Sequence, residues 1–469
     1  MTSSASLQAA IAAHRFGLGE PDLSVVGSDA RGWLAAQIGA ADPARGDGLL
    51  DTRRALEHVA AEREKRELAR NPPPGTTALQ ILAGHYRAVN IADARSRLAT
   101  AAATRRPFAE RLHWFWANHF TVSLVKGSTR GLTGAFERDA IRPHIAGRFE
   151  TLLFAATTHP AMLRYLDNTQ SAGPHSRVVA FESRRAARRQ EPARVTGINE
   201  NLAREVLELH TLGAEAARAG VYSQADVTAF AAVLSGWRVG QDAGWKDGEP
   251  FEPNWHEPGT KTLLGRTYGE GPQALHAVLR DLASHPATAH LLASKLARHF
   301  VTDEPPPSLV GRLASVYLQS GGELAPVYRA LLASDAAWQA PAAKLKTPEE
   351  FVVSTARLLG AGERMFERAD VVNPAAAIGA LGQRMLAAPS PAGWSDRADD
   401  WLGPDAVWKR VEWATRMAAR AGRTIDARRL AEQSLGPLLG AETARQLERA
   451  ADAPQALALL LLAPEFQRR

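Results

Sequence analysis

Residues 199–213 read NENLAREVLELHTLG. Leu202, Val206 and Leu209 recur at the i, i+4, i+7 spacing of one helical face, so the stretch predicts a helix. It is nevertheless crowded with two asparagines, three glutamates, an arginine and a histidine. At 100° per residue, Asn201, Glu205 and Glu208 fall within about 60° of one another, on the shoulder of the apolar face. His210 lies about 140° round from Glu205, so one straight helix does not aim both at a single ion. The Glu-x-x-Glu-x-His spacing also differs from the Glu-x-x-His pairing of di-iron bundles. Asn199 suits an N-cap and Gly213 a C-cap. Glu205 and Glu208 therefore either pair with arginines of another helix, Arg138 or Arg142, or serve as ligands, acids and bases.

The same period recurs outward in both directions. Residues 103–120 (ATRRPFAERLHWFWANHF) form an amphipathic, aromatic pattern. Residues 151–167 predict a helix that breaks near His159–Pro160 and restarts. Ser223 caps the apolar stripe 223–239, Pro286 opens the helix 286–303, and Thr347-Pro-Glu-Glu opens 347–362 with a cap, a proline and acids on the positive end of the dipole. The last 40 residues predict two more helices. The segment 239–269, rich in Gly, Pro and Trp, predicts a long ordered loop with two short strands. The expected architecture is mainly α: a large multi-helix array of residues 1–469 as one domain, with a short irregular or β segment near 239–269 and residues 341–469 as a candidate C-terminal helical sub-lobe.

Composition narrows the chemistry. A chain of 469 residues buries a large core without staples. It holds no cysteine, which excludes disulfides, thiolate metal sites, iron–sulfur clusters and a cysteine nucleophile. A net charge of +6 spread over this length is mild and argues against nucleic acid as a partner. The run SRRAARR (183–189) is the best basic patch, and a solvated loop or short helix is its blander account. No apolar run of about 18 residues exists, so no membrane span is expected. The N-terminus lacks a basic segment followed by an apolar core, so a cytoplasmic location is the default expectation.

Other polar clusters supply candidates. HWFWANHF (113–120) sets Asn118 and His119 among large aromatics, with His113 one turn back. FERDAIRPH (136–144) reads as a charged helix containing Glu137, Arg138, Asp139 and Arg142. Asp167-Asn168 closes a helix; His256, Glu257 and Lys261 sit in the irregular segment beyond Trp237. No phosphate loop, zinc helix or nucleophile elbow occurs.

Together these stretches resemble the bacterial family called domain of unknown function 1800. The matching segments are AAHRFGLG (12–19), RLHWFWANHFTVS (111–123), residues 136–171, NENLAREVLELHTLG (199–213), YSQADVTAFAAVLSGW (222–237), HEPGTKTLLG (256–265), KLKTPEEFVVSTARLLG (344–360) and LGQRMLAAPSPAGW (381–394). The resemblance implies a mostly helical unit and no established reaction. The chain departs from the family pattern at His256-Glu257, where His-Asp is usual, which puts the role of Glu257 in doubt. Many relatives are secreted. Relatives are often encoded beside members of domain of unknown function 1501, which resembles sulfatases and phosphatases; that implies a partnership such as export or maturation of the neighbour.

Two functional expectations follow. One is a hydrolase for a glycan or similar polar small-molecule substrate, with Glu205, Glu208, His119 and Asp167 as catalytic groups and Asn118, Arg138, Asn168, Asn199, Asn201, Trp237, His256 and Lys261 as substrate contacts. The same groups would equally hold a divalent metal, the cofactor considered, in a metal-dependent enzyme. The other is a non-catalytic partner or maturation factor for the neighbouring-gene protein.

Overall fold

Helices account for most of the chain in the computed structural model, which describes residues 4–192, 195, 197–239, 250–340, 342–367 and 374–469. Those that carry the polar interior are α1 (Ala78–Ala103), α2 (Pro107–His119), α3 (Arg177–Arg189), α4 (Asn201–Glu205), α5 (Gln224–Leu234), α6 (Pro286–Phe300) and α7 (Pro348–Leu358). Local chemistry sets their starts. Ser223 and Asp226 form a capping box at α5, and Thr347 and Glu350 form another at α7. Proline opens α2, α6 and α7, where its missing N–H has no partner to lose. The predicted break falls at His159, between helices Phe149–Thr158 and Pro160–Tyr165.

Among the described residues three turns are π-helical: Ala12–Phe16, Glu137–Ile141 and Val206–His210. Each holds one extra residue per turn, as in the Arg142 N–H donating to Glu137 O at 2.9 Å. The third changes the geometry of the stretch 199–213, because the 100° spacing holds only through Glu205 and the turn then widens. Gly213 is not the immediate cap: Thr211 follows the π turn, and the Gly213 N–H reaches Leu207 O.

Lys261–Leu263 (β1) and Arg266–Tyr268 (β2) pair as an antiparallel hairpin, Lys261 opposite Tyr268. Leu264 and Gly265 turn it with positive φ at both positions, the requirement of a tight primed turn. Residues 240–249 of the predicted irregular segment lie outside the described residues. The chain's end holds more helices than the two expected: Ala427–Leu435, Ala441–Glu448, Ala453–Leu462 and the short Pro464–Gln467. Residues 183–189 belong to α3, a helix with no buried residue, rather than to a loop.

The apolar interior forms two main clusters. The larger gathers Phe16, Phe108, Leu112, Trp116, Phe149, Leu234, Phe300 and Tyr328. The second gathers Phe351, Trp413, Leu460 and Phe466 with Leu98 of α1 and Trp114 of α2, so the C-terminal helices pack on α1 and α2. Helix α2 thus runs between the cores and is buried on every face except at Asn118, which is why its predicted amphipathic character is absent. No helix among the described residues is long and apolar enough to cross a membrane.

Candidate functional site

A helix buried on nearly all sides must satisfy its polar groups internally. On α2, Glu110 receives Arg142 as a fork, Nη1 to Oε2 at 2.7 Å and Nη2 to Oε1 at 2.9 Å. Burial opposes that carboxylate's charge, but Arg142 and His113 outweigh it and hold Glu110 well below the usual range. One residue on, Arg111 lies 3.2 Å from Glu350 and also donates to His299 Nε2. Arg469 reaches the other Glu350 oxygen at 3.0 Å, and the two guanidiniums overcome burial to bring Glu350 down to about 2. With Nε2 of His299 accepting from Arg111, Nδ1 carries the proton and donates to Asp396 at 2.8 Å. Burial lowers His299 to about 4, so it is neutral at pH 7.

Between these groups opens a cleft of about 690 Å³, surrounding open space included. Arg97 of α1 spans its floor, donating from Nε to Glu349 at 2.5 Å and from Nη1 to Glu137 at 2.6 Å. The two carboxylates share one cation yet shift oppositely. Burial raises Glu349, reinforced by Glu137 and Glu350, beyond what Arg97 offsets. Burial also works against Glu137, but Arg97, His113 and Arg142 outweigh it and lower its pKa. The walls add Trp114, Asn118, Gln383 and Trp394. Trp114 stacks under Arg97 at 5.1 Å, and its indole N–H is buried without a hydrogen-bond partner among the described residues. His113 Nε2, 3.8 Å from Glu137, likewise makes no hydrogen bond among the described residues.

Separate sequence segments assemble this cleft. Asn118 Nδ2 donates to Trp394 O at 2.9 Å and its Oδ1 accepts the Trp394 N–H at 2.8 Å. Gly393, at φ +83, passes so close that a Cβ would stand 2.6 Å from Asn118 O. Gln383 accepts the Glu349 N–H at 2.9 Å. The N-terminal stretch 12–19 ties the two cores behind the cleft: His14 meets Ser434 O, Arg15 donates to Ala337 O, and Leu18 O accepts from Ser354.

A family model described as Protein of unknown function (DUF1800) matches residues 11–468. The chain belongs to this family. No curated protein and no solved structure matched it.

The remaining predicted residues of this DUF1800 chain occupy several places. Of them, Asn118 lines the cleft. His119 turns to the opposite side, toward His210 O at 3.2 Å and Lys295 at 3.1 Å. Glu205 and Glu208 are partly buried and have no ion pair among the described residues. The arginines suggested for them are engaged elsewhere, Arg138 with Asp93 of α1 and Arg142 with Glu110 of α2. Burial and the Glu208 charge raise Glu205. Tyr165 and Tyr222 stand nearby, both raised by burial and then by these carboxylates. Asn199 is not the N-cap, which is Glu200; its Oδ1 accepts the Asn201 N–H at 2.9 Å one residue earlier, and Asn201 is exposed.

Asp167 has left-handed backbone (φ 58) and pairs with Lys126 at 2.5 Å. Asn168 is fully buried and donates to Leu234 O and Trp237 O, which anchors the end of α5; Trp237 packs between Phe154 and Phe251. His256 Nδ1 meets Ser235 O at 2.7 Å and its Nε2 accepts from Lys261 at 3.0 Å. Glu257 reaches outward instead, to His175 at 2.6 Å. No group of three or more His, Asp or Glu side chains positioned to hold a metal ion occurs among the described residues.

Arg97, Glu349, His299, Lys295 and Asp396 were absent from the sequence-based set. The available signal was weak: Glu349 and Glu350 follow a cap and look like dipole acids. Only the run FVVSTARLL after them, apolar on several faces, marks a helix buried all round.

Proposed function

We propose that the chain is a hydrolase for a polar, hydroxyl-rich substrate such as a glycan, and that its acid and base lie in the cleft as Glu349 and Glu137. One observation carries this: two carboxylates on one arginine, at the wall of one cleft, are driven to opposite proton affinities. That division is what acid–base hydrolysis requires. Glu349, whose proton affinity is raised, is the group assigned to pass a proton to a leaving oxygen. Glu137 remains anionic and acts on water or on the reacting carbon. Trp114 and Trp394 in the cleft wall offer flat surfaces for a sugar ring.

The test is a panel of oligosaccharides and polysaccharides assayed for new reducing ends, with wild type beside Glu349→Gln and Glu137→Gln. The expected result is hydrolysis of at least one polymer by wild type and a loss of at least about 100-fold in either variant. No hydrolysis across the panel, or a Glu349→Gln rate equal to wild type, overturns the proposal.

A second reading, a non-catalytic partner or maturation factor, has its own support. Most charged groups flanking the cleft are paired with one another, as in Arg111–Glu350–Arg469, which is also how a rigid scaffold is cemented. Co-purification with the neighbouring-gene protein, undiminished in Glu349→Gln, would favour it.

A further inference from the structure

Beyond the cleft lies a cluster of bases around Lys295. Lys295 sits on α6 one turn before His299, so both project from one face of that helix. Its Nζ is 3.1 Å from His119 Nδ1 and 3.4 Å from Leu209 O. No carboxylate comes within 4.0 Å of it among the described residues. His119 Nε2 faces His210 O, so that nitrogen carries the proton and Nδ1 is left to accept from the lysine. His210 is 1 % exposed, and neither of its ring nitrogens has a hydrogen-bond partner among the described residues. Phe115, Trp116, Phe120 and Phe149 wall the cluster.

This setting raises the uncharged share of the amine. Burial lowers Lys295 to about 8, with Asp396 acting against the shift and Arg298 with it. His119 and His210 are also driven down, first by burial and then by Lys295, and are neutral at pH 7. Lys346 supplies the contrast. It is lowered to about 7 by burial, but at 1 % exposure it is closed off, whereas Lys295 keeps part of its surface open.

We propose that Lys295 is a nucleophilic amine that captures the carbonyl carbon of an aldehyde or ketone ligand as an imine, with His119 as the proton acceptor. The nitrogen lone pair forms the C–N bond while the C=O π pair moves to oxygen, which takes up a proton. His119 takes the two nitrogen protons in turn and hands each to that oxygen. The carbinolamine oxygen then leaves as water as the C=N bond forms. One amine and one carbonyl give one imine and one water, with no oxidation or reduction. The proposal is independent of the hydrolase reading.

The test uses the full-length wild-type protein with two probes, pyridoxal 5′-phosphate and the smaller glyoxylate. Each adduct is fixed with sodium borohydride and located by peptide mass mapping. Lys295 is expected to label about tenfold faster than the exposed Lys409 at neutral pH, with a rise centred near pH 8, while Lys346 stays unlabelled. His119→Gln should slow labelling at Lys295 and leave Lys409 unchanged. Labelling of Lys295 no faster than Lys409 with both probes overturns the proposal, as does a rate that His119→Gln leaves untouched.

Discussion

Two acidic pairs in this molecule differ in what surrounds them. Glu137 and Glu349 come from distant segments, meet on Arg97, and are 14 % and 8 % exposed. Glu205 and Glu208 come from one turn and its π-helical continuation, and share no cation among the described residues. The sequence drew attention to the second pair because neighbours in sequence are visible there. The first pair has the features that chemistry needs: a cleft, a fixed cation and opposed proton affinities. Proximity along a helix marks where charge is dense, while long-range pairing decides where charge can be held in the interior.

Breaking the buried pair should have the largest effect. Arg97→Met leaves two nearly buried carboxylates without their cation and should cost about 3–5 kcal/mol, read by urea denaturation. A loss below about 1 kcal/mol would mean that the cleft carboxylates are solvated or protonated. Acid should act on the same region. Glu350 moves from 4.5 to about 2 on folding. Because its folded pKa is depressed, its stabilisation is present above pH 4.5 and is lost as pH falls toward 2, on the order of 3 kcal/mol. Buried histidines add to this at higher pH. His14, His159 and His210 fall from 6.5 to about 3, so each stabilises the fold above pH 6.5 and progressively less below it. Stability measured across pH 8 to 3 should therefore begin to decline near 6.5; a flat profile down to pH 4 would contradict the neutral buried histidines.

Smaller effects sharpen the comparison. Gly393→Ala places a Cβ against Asn118 at a left-handed backbone position and should cost about 2 kcal/mol while loosening the cleft wall. On the ridge, the sign reverses. Glu205 is raised on folding, so its charge is a burden above its folded pKa and its removal should help. Glu205→Gln is expected to raise stability by about 0.5 kcal/mol. A clear destabilisation would reveal a cationic partner for that carboxylate.

Much of the fold was legible from local chemistry. Ser223, Thr347 and Pro160 each start a helix by satisfying or removing an orphan N–H, and such signals need no tertiary context. The hairpin followed from punctuation by Gly and Pro. The π turns were not legible, since an extra residue in one turn has no residue-type signature and is fixed by packing. One of them, Val206–His210, alters the geometry beyond Glu205. The site was legible only at Asn118 and in the segment that holds Glu137. Glu349 looked like an ordinary first-turn acid, because its burial comes from Arg97, 252 residues away in sequence.

The central claim concerns protons, and selective observation of the two carboxyls tests it most directly. Glutamate labelled with ¹³C at the side-chain carboxyl would be followed by NMR through a pH titration, with Glu349→Gln and Glu137→Gln assigning the signals. The account predicts a midpoint above 4.5 for Glu349 and below 4.5 for Glu137. Midpoints on the same side of that value would contradict it.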